Sequence, residues 1–233
     1  MKKLLFSILV FMFASGCAAQ PTTRALDQFN MNKGAARVYY YQSYQPSGTD
    51  PTKTIKATFQ LSETVVDRQV VPSYVIAHVQ RELKLINADL GWPTNTADQT
   101  GDIWYVFSGH QVYSQKTAID VNHILLSELT LSYDFPLSVG KNWCPLQYDP
   151  KDSSHTKITD CRLSGEREVI SHGDFMSMAG TFNDCYDMID HFNGGSIFQK
   201  FCTGVGVVSL QFDHMGTKFG FSQSLSSYLI GTP

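Results

Sequence analysis

The feature that most constrains this chain is a two-residue hydrophobic period. Ile55, Ala57, Phe59 and Leu61 are apolar and alternate with Lys56, Thr58 and Gln60. Side chains of a strand point to opposite faces in turn, so this pattern marks a half-buried strand. Val65-Val66 and Val70-Val71 follow. Further on, Tyr74, Ile76, His78 and Gln80 share one face of a strand, and Val75, Ala77, Val79 and Arg81 share the other. A meander of hairpins is expected here, with a helix over Val75 to Ile86 as the competing reading. Upstream, Val38-Tyr39-Tyr40-Tyr41 opens the β-rich region. Tyr44 to Lys53, with Pro46, Gly48 and Pro51, reads as a loop.

The rest of the chain keeps to this grammar. Ala88 to Asp102 carries Gly91, Pro93 and Gly101 among polar residues and reads as a loop, with Trp92 expected at the surface. Ile103 to Ser108 and Gln111 to Tyr113 flank Ser108-Gly109-His110, a tight hairpin signal. Leu125, Ser127, Leu129 and Leu131 step along another expected strand. Beyond Gly140, glycines recur at turn spacing with strand-length segments between them. The expected fold is all-β and mainly antiparallel. It is one curved or sandwich-like sheet domain, built from hairpins, with little helix, over residues 35–233.

The N-terminus has a different character. Lys2 and Lys3 precede an apolar run from Leu4 to Phe13, broken only by Ser7, and then comes Ala14-Ser15-Gly16-Cys17. The run is too short for a membrane span, which needs about 20 apolar residues. Its layout is that of a secretory signal peptide. Small residues ahead of a cysteine resemble the lipobox of bacterial lipoproteins. That resemblance implies cleavage before Cys17, acylation of its thiol and a membrane partner reached through the lipid. Ala18-Ala19 lacks the aspartate of inner-membrane retention, so the resemblance points to the outer membrane. Residues 1–17 are then signal and lipobox. Residues 18–34, polar and small, are expected to be a flexible tether reaching about 55 Å when extended, with a short helix around Arg24 to Met31 as the weaker alternative.

Removing residues 1–17 from 233 leaves 216, enough for one sizeable domain. It also removes Lys2 and Lys3, leaving 16 basic against 21 acidic residues. A net charge of about −5 gives no electrostatic footprint for nucleic acid. Setting Cys17 aside leaves Cys144, Cys161, Cys185 and Cys202. An even count in an exported chain reads as two disulfides, with three pairings available. The first and last pairs are each separated by 17 residues, which favours Cys144–Cys161 with Cys185–Cys202. Each loop would contribute about 3 kcal/mol in the chain-entropy model. Zinc is the alternative, but no C-x-x-C spacing is present.

Four phrases stand in order: Trp104 to Gly109, Phe135 to Trp143, Ala179 to Tyr186, and Phe201 to Val208, closed by Leu225-Ser226-Ser227-Tyr228. Over residues 103–230 the series resembles uncharacterised bacterial exported proteins and lipoproteins. The resemblance implies a β-rich exported domain and a pairing of the last two cysteines. It implies no activity, cofactor or catalytic residue.

Candidate chemistry is sparse. Asp190-His191 and Asp213-His214 are adjacent pairs whose side chains diverge on a strand. His155 sits in a hydrophilic loop. No metalloprotease or nucleophile-elbow motif occurs. No catalytic, cofactor or metal residue is assigned, and no cofactor is expected. A hydrolase or metal enzyme is the least favoured reading. Tyr39, Tyr40, Tyr41, Tyr44, Trp92, Trp104, Tyr105 and Tyr113 fit a sheet core or a ligand groove. The leading expectation is a non-enzymatic module that binds another envelope protein or serves an assembly. The alternative is a carrier or sensor of an apolar ligand, lipid or glycan.

Overall fold

A computed structural model describes residues 25–93, 99–145, 161, 165–192 and 194–231. Cys17 and His155 lie outside these residues. Among the described residues, twelve strands form one sheet in the order β6-β5-β4-β3-β2-β1-β12-β11-β10-β9-β8-β7. The first half supplies β1 (Ala36–Pro46), β2 (Thr54–Val71), β3 (Tyr74–Ala88), β4 (Gln99–Ser108), β5 (Gln111–Gln115) and β6 (Thr130–Asp134). The second supplies β7 (Asn142–Trp143), β8 (Glu166–Ser177), β9 (Gly180–Phe192), β10 (Gly195–Cys202), β11 (Gly206–His214) and β12 (Gly220–Leu229). Every neighbouring pair is antiparallel, and β12 returns to pair with β1, Ala36 facing Leu229.

The fold is therefore all-β, as the alternation predicts, and β3 is a strand where a helix competed. The expected strand from Leu125 begins instead as a short 3-10 helix, Leu126–Glu128, before β6. The sheet also rolls until its two edges nearly meet. The Leu131 amide on β6 donates to the carbonyl of Pro145, just past β7, at 2.7 Å. Arg167 on β8 reaches the Ser132 carbonyl on β6. Lys141 Nζ lies 3.1 Å from Asp134 Oδ2 across the β6–β7 connection. These contacts use polar groups that an open edge would leave unpaired.

One end of the rolled sheet is floored. Helix α1 (Ala25–Gln28) is tied to the β4–β5 turn by the Ala25 amide, which donates to the Gly109 carbonyl at 3.1 Å. Phe29 then enters the barrel and meets Tyr105, Phe107, Tyr133, Phe135 and Phe201 at centroid distances of 4.8–6.2 Å. Ala25, Phe29 and Met31 are all buried. This corrects the expected tether. Residues 25–34 belong to the domain, because their few apolar side chains find an aromatic floor that the local composition cannot reveal.

A second cluster gathers Tyr39, Leu61, Val208, Leu225 and Phe182. Phe175 and Ala179, at the tip of the β8–β9 hairpin, pack on it. The disulfides join Cys144 to Cys161, beside the β7 edge, and Cys185 to Cys202, register partners on β9 and β10.

Candidate functional site

Above the floor the rolled sheet encloses a cavity of about 700 Å³ lined by nine of the twelve strands. That volume suits a small molecule or one end of a larger one. The cavity reaches solvent beside Gln99, Thr100 and Lys116, all exposed. Gln99 starts β4 and Ser108, next to the Ala25 contact, ends it. The opening thus lies at the opposite end from the floor.

Inward positions of β1, β2 and β3 place three charges side by side. Arg37 is the register partner of Glu63, and Glu63 that of Arg81. Cross-strand neighbours on one face approach to about 5 Å between Cβ atoms. Arg37 Nε accordingly lies 3.3 Å from Glu63 Oε2, and Arg81 Nε lies 3.1 Å from Glu63 Oε1. Tyr39 Oη donates to Glu63 Oε2 at 3.3 Å and to the Val207 carbonyl at 3.0 Å. Arg37 Nη1 donates to the Val205 carbonyl at 3.2 Å. The guanidinium has room there because position 206 is glycine: at φ +99°, a Cβ would stand 2.8 Å from Arg37 Nη1. Burial works against the charge on Arg37, but Tyr39 and Glu63 outweigh it and hold the guanidinium above its ordinary pKa.

The facing wall carries a second pair. Arg167 on β8 sits opposite Asp190 on β9 and donates to both carboxylate oxygens. Its guanidinium stands 5.6 Å over the Tyr133 ring and 6.0 Å over that of Trp143. Burial opposes this charge too, and Asp190 restores it. Gln199 on β10 donates to Tyr133 Oη across the interior. Burial pushes Tyr39, Tyr105 and Tyr133 above the ordinary phenol pKa, with Glu63 adding to the effect on the first two. One pleat repeat towards the opening, about 7 Å along each strand, the lining turns apolar. Leu61 faces Leu83 there, and one repeat farther Tyr41 stacks on Phe221 at 5.5 Å. The lumen thus has an aromatic floor, a charged belt and an apolar neck.

The aromatic candidates divide. Tyr39, Tyr41 and Tyr105 line the cavity, and Tyr113 is buried in the core. Tyr40 is exposed. Trp104 stacks on His78 at 4.1 Å, and Trp92, half-buried rather than exposed, lies 6.3 Å from Phe59. Tyr44 donates to Asp213, which raises its pKa to about 12. The adjacent histidine pairs separate: Asp190 serves Arg167, Asp213 serves Tyr44, and His214 Nδ1 lies 3.0 Å from Thr217 Oγ1. Among the described residues, no three His, Cys, Asp or Glu side chains come together to hold a metal. Sequence reasoning missed Arg37, Glu63 and Arg167, and it singled out Asp190 beside His191 rather than opposite Arg167. The usable signal was parity, since Glu63 continues the apolar face of Ile55, Ala57, Phe59 and Leu61.

Comparison with known proteins adds little. No protein-family model matches the chain, and no curated protein does. Two solved structures are similar. One is a predicted exported protein with a YmcC-like fold from Bacteroides fragilis, at 12% identity and a TM-score of 0.48, covering 86% of this chain and 98% of its own. The other is a predicted lipoprotein from Parabacteroides distasonis, at 13% identity and 0.47, covering 90% of this chain and all of its own.

Proposed function

We propose that this chain is an exported lipoprotein, anchored at Cys17 to the outer membrane, that carries a partly apolar ligand in its barrel. The observation that carries this reading is the 700 Å³ lumen, with polar groups placed deep and an apolar neck above them. Carriage is proposed rather than turnover, since both carboxylates of the belt, Glu63 and Asp190, are held in ion pairs with arginines. The test is to purify the full chain from its native envelope, denature it and identify released small molecules by mass spectrometry. A ligand in near-equal amount is expected, and Leu83→Trp in the neck should abolish it. A lumen found empty in the native protein would refute carriage. Cys17→Ser should release the protein from the membrane, and firm retention would refute the anchor.

One observation favours a second reading, contact with another envelope protein. Met176 and Met178 at the β8–β9 tip are strongly exposed, as are Leu229 and Ile230. Phe182 beside that tip meets Tyr228 at 5.6 Å, which gathers these residues at one corner.

A further inference from the structure

The belt of the lumen is not neutral. Arg37 and Arg81 share one carboxylate, Glu63. Arg167 is matched by Asp190. At the opening, Asp102 is taken up by His78 at 2.8 Å, while Lys116 is exposed. One positive charge is left over within the belt, and the geometry locates it. The Arg37 side chain is 8% exposed and Glu63 11%, but Arg81 is 32% exposed. Arg81 Nε is close to Glu63 yet out of line for a hydrogen bond. Among the described residues no acceptor is aligned with the rest of its guanidinium. An arginine presents five donors in a planar fork that suits a carboxylate or phosphate bound through two oxygens. A cavity-facing fork with its donors unmatched is a half-made site. Leu83, the next cavity-facing residue on the same strand towards the opening, and Leu61 beside it would flank whatever adjoins that oxyanion.

We infer that the lumen selects an amphiphilic anion, its oxyanion head on Arg81 with Arg37 behind and its apolar body in the neck at Leu61, Leu83 and Tyr41. This rests on the carrier reading above and adds the head-group chemistry. A carboxylate and a phosphate share that chemistry, and the probes separate them.

The test uses the lipidated full chain in phosphatidylcholine nanodiscs, with empty nanodiscs subtracted. Octanoate, octyl phosphate and octanol are titrated calorimetrically, since they share a tail and differ in head. At least one anion is expected to bind tenfold or more tighter than octanol. Arg81→Gln should bring that anion to within threefold of octanol and leave octanol itself unchanged. Arg81→Lys, which keeps the charge but loses the fork, should restore only part of the preference. The tighter of the two anions identifies the head as carboxylate or phosphate. Octanol binding as well as both anions would overturn the anion inference and leave the carrier reading standing. An undiminished preference in a folded Arg81→Gln protein would also overturn it, by removing Arg81 from the site. Binding of none of the three would overturn the carrier reading, and the head-group inference with it.

Discussion

Replacing Phe29 with alanine tests whether the segment before β1 is part of the folded unit. A buried aromatic side chain removes roughly 150–250 Å² from water. At about 25 cal/mol per Å² that is worth about 4–6 kcal/mol. Alanine keeps only the Cβ share of this area, and its cavity would open among five rings. The loss should be about 3–4 kcal/mol, within the usual span for Phe→Ala in a core. Urea unfolding with both disulfides intact, followed by near-ultraviolet circular dichroism, measures it. For a slope of about 2 kcal/mol per molar, the midpoint should fall by about 1.5–2 M with the slope unchanged. Phe198→Ala on β10, where the residue is 43% exposed, is the control and should cost well under half as much. A loss below about 1 kcal/mol for Phe29→Ala would refute the argument. It would mean that residues 25–34 ride on the barrel without sharing its stability.

Two further outcomes are expected. Gly206→Ala should destabilise the protein by more than about 1 kcal/mol, because it places a side chain at positive φ and against Arg37. Unchanged stability by thermal unfolding would refute that reading of the Arg37 niche. The tyrosines Tyr39, Tyr105 and Tyr133 have folded-state pKa values raised by burial. Their stabilising contribution is complete below the unfolded phenol value of about 10 and is lost as pH rises through the folded values. Absorbance at 295 nm should therefore show these phenols ionising together with alkaline unfolding. Reversible titration of every phenol near pH 10 with native dichroism would show instead that water fills the belt.

The sheet was legible in the sequence and the lumen was not. Alternation from Ile55 to Leu61, and the glycine turn at Gly109, each reflect a local rule, a two-residue period or a backbone that must reverse. Even the face of Arg81 was readable, since it shares parity with Val75, Ala77 and Val79. What could not be read was that this face looks into a cavity. In a sandwich an inward Glu63 would be an anomaly; in a rolled sheet it is part of a wall. Arg37, Glu63 and Arg81 come from three strands whose registers are set by tertiary packing, and Arg167 meets Asp190 only through the β8–β9 register. The same applies to the floor, because nothing near Phe29 in sequence foretells the five rings that receive it.

The hydrogen bond from Ala25 to Gly109 also fixes where the described domain begins. Only eight peptide steps separate Cys17 from Ala25, so whatever path they follow they span at most about 27 Å. The described domain begins at its floor, with Ala25, while the opening lies roughly a ten-residue strand farther on, about 33 Å. With a lipid on Cys17, an upright domain holds its mouth towards the aqueous compartment and its back to the membrane that holds it. To reach that bilayer the mouth would require the whole barrel to tip onto its side. On the proposed carrier reading, cargo exchange would be directed outward from the anchoring membrane, to a carrier in solution or to the facing surface.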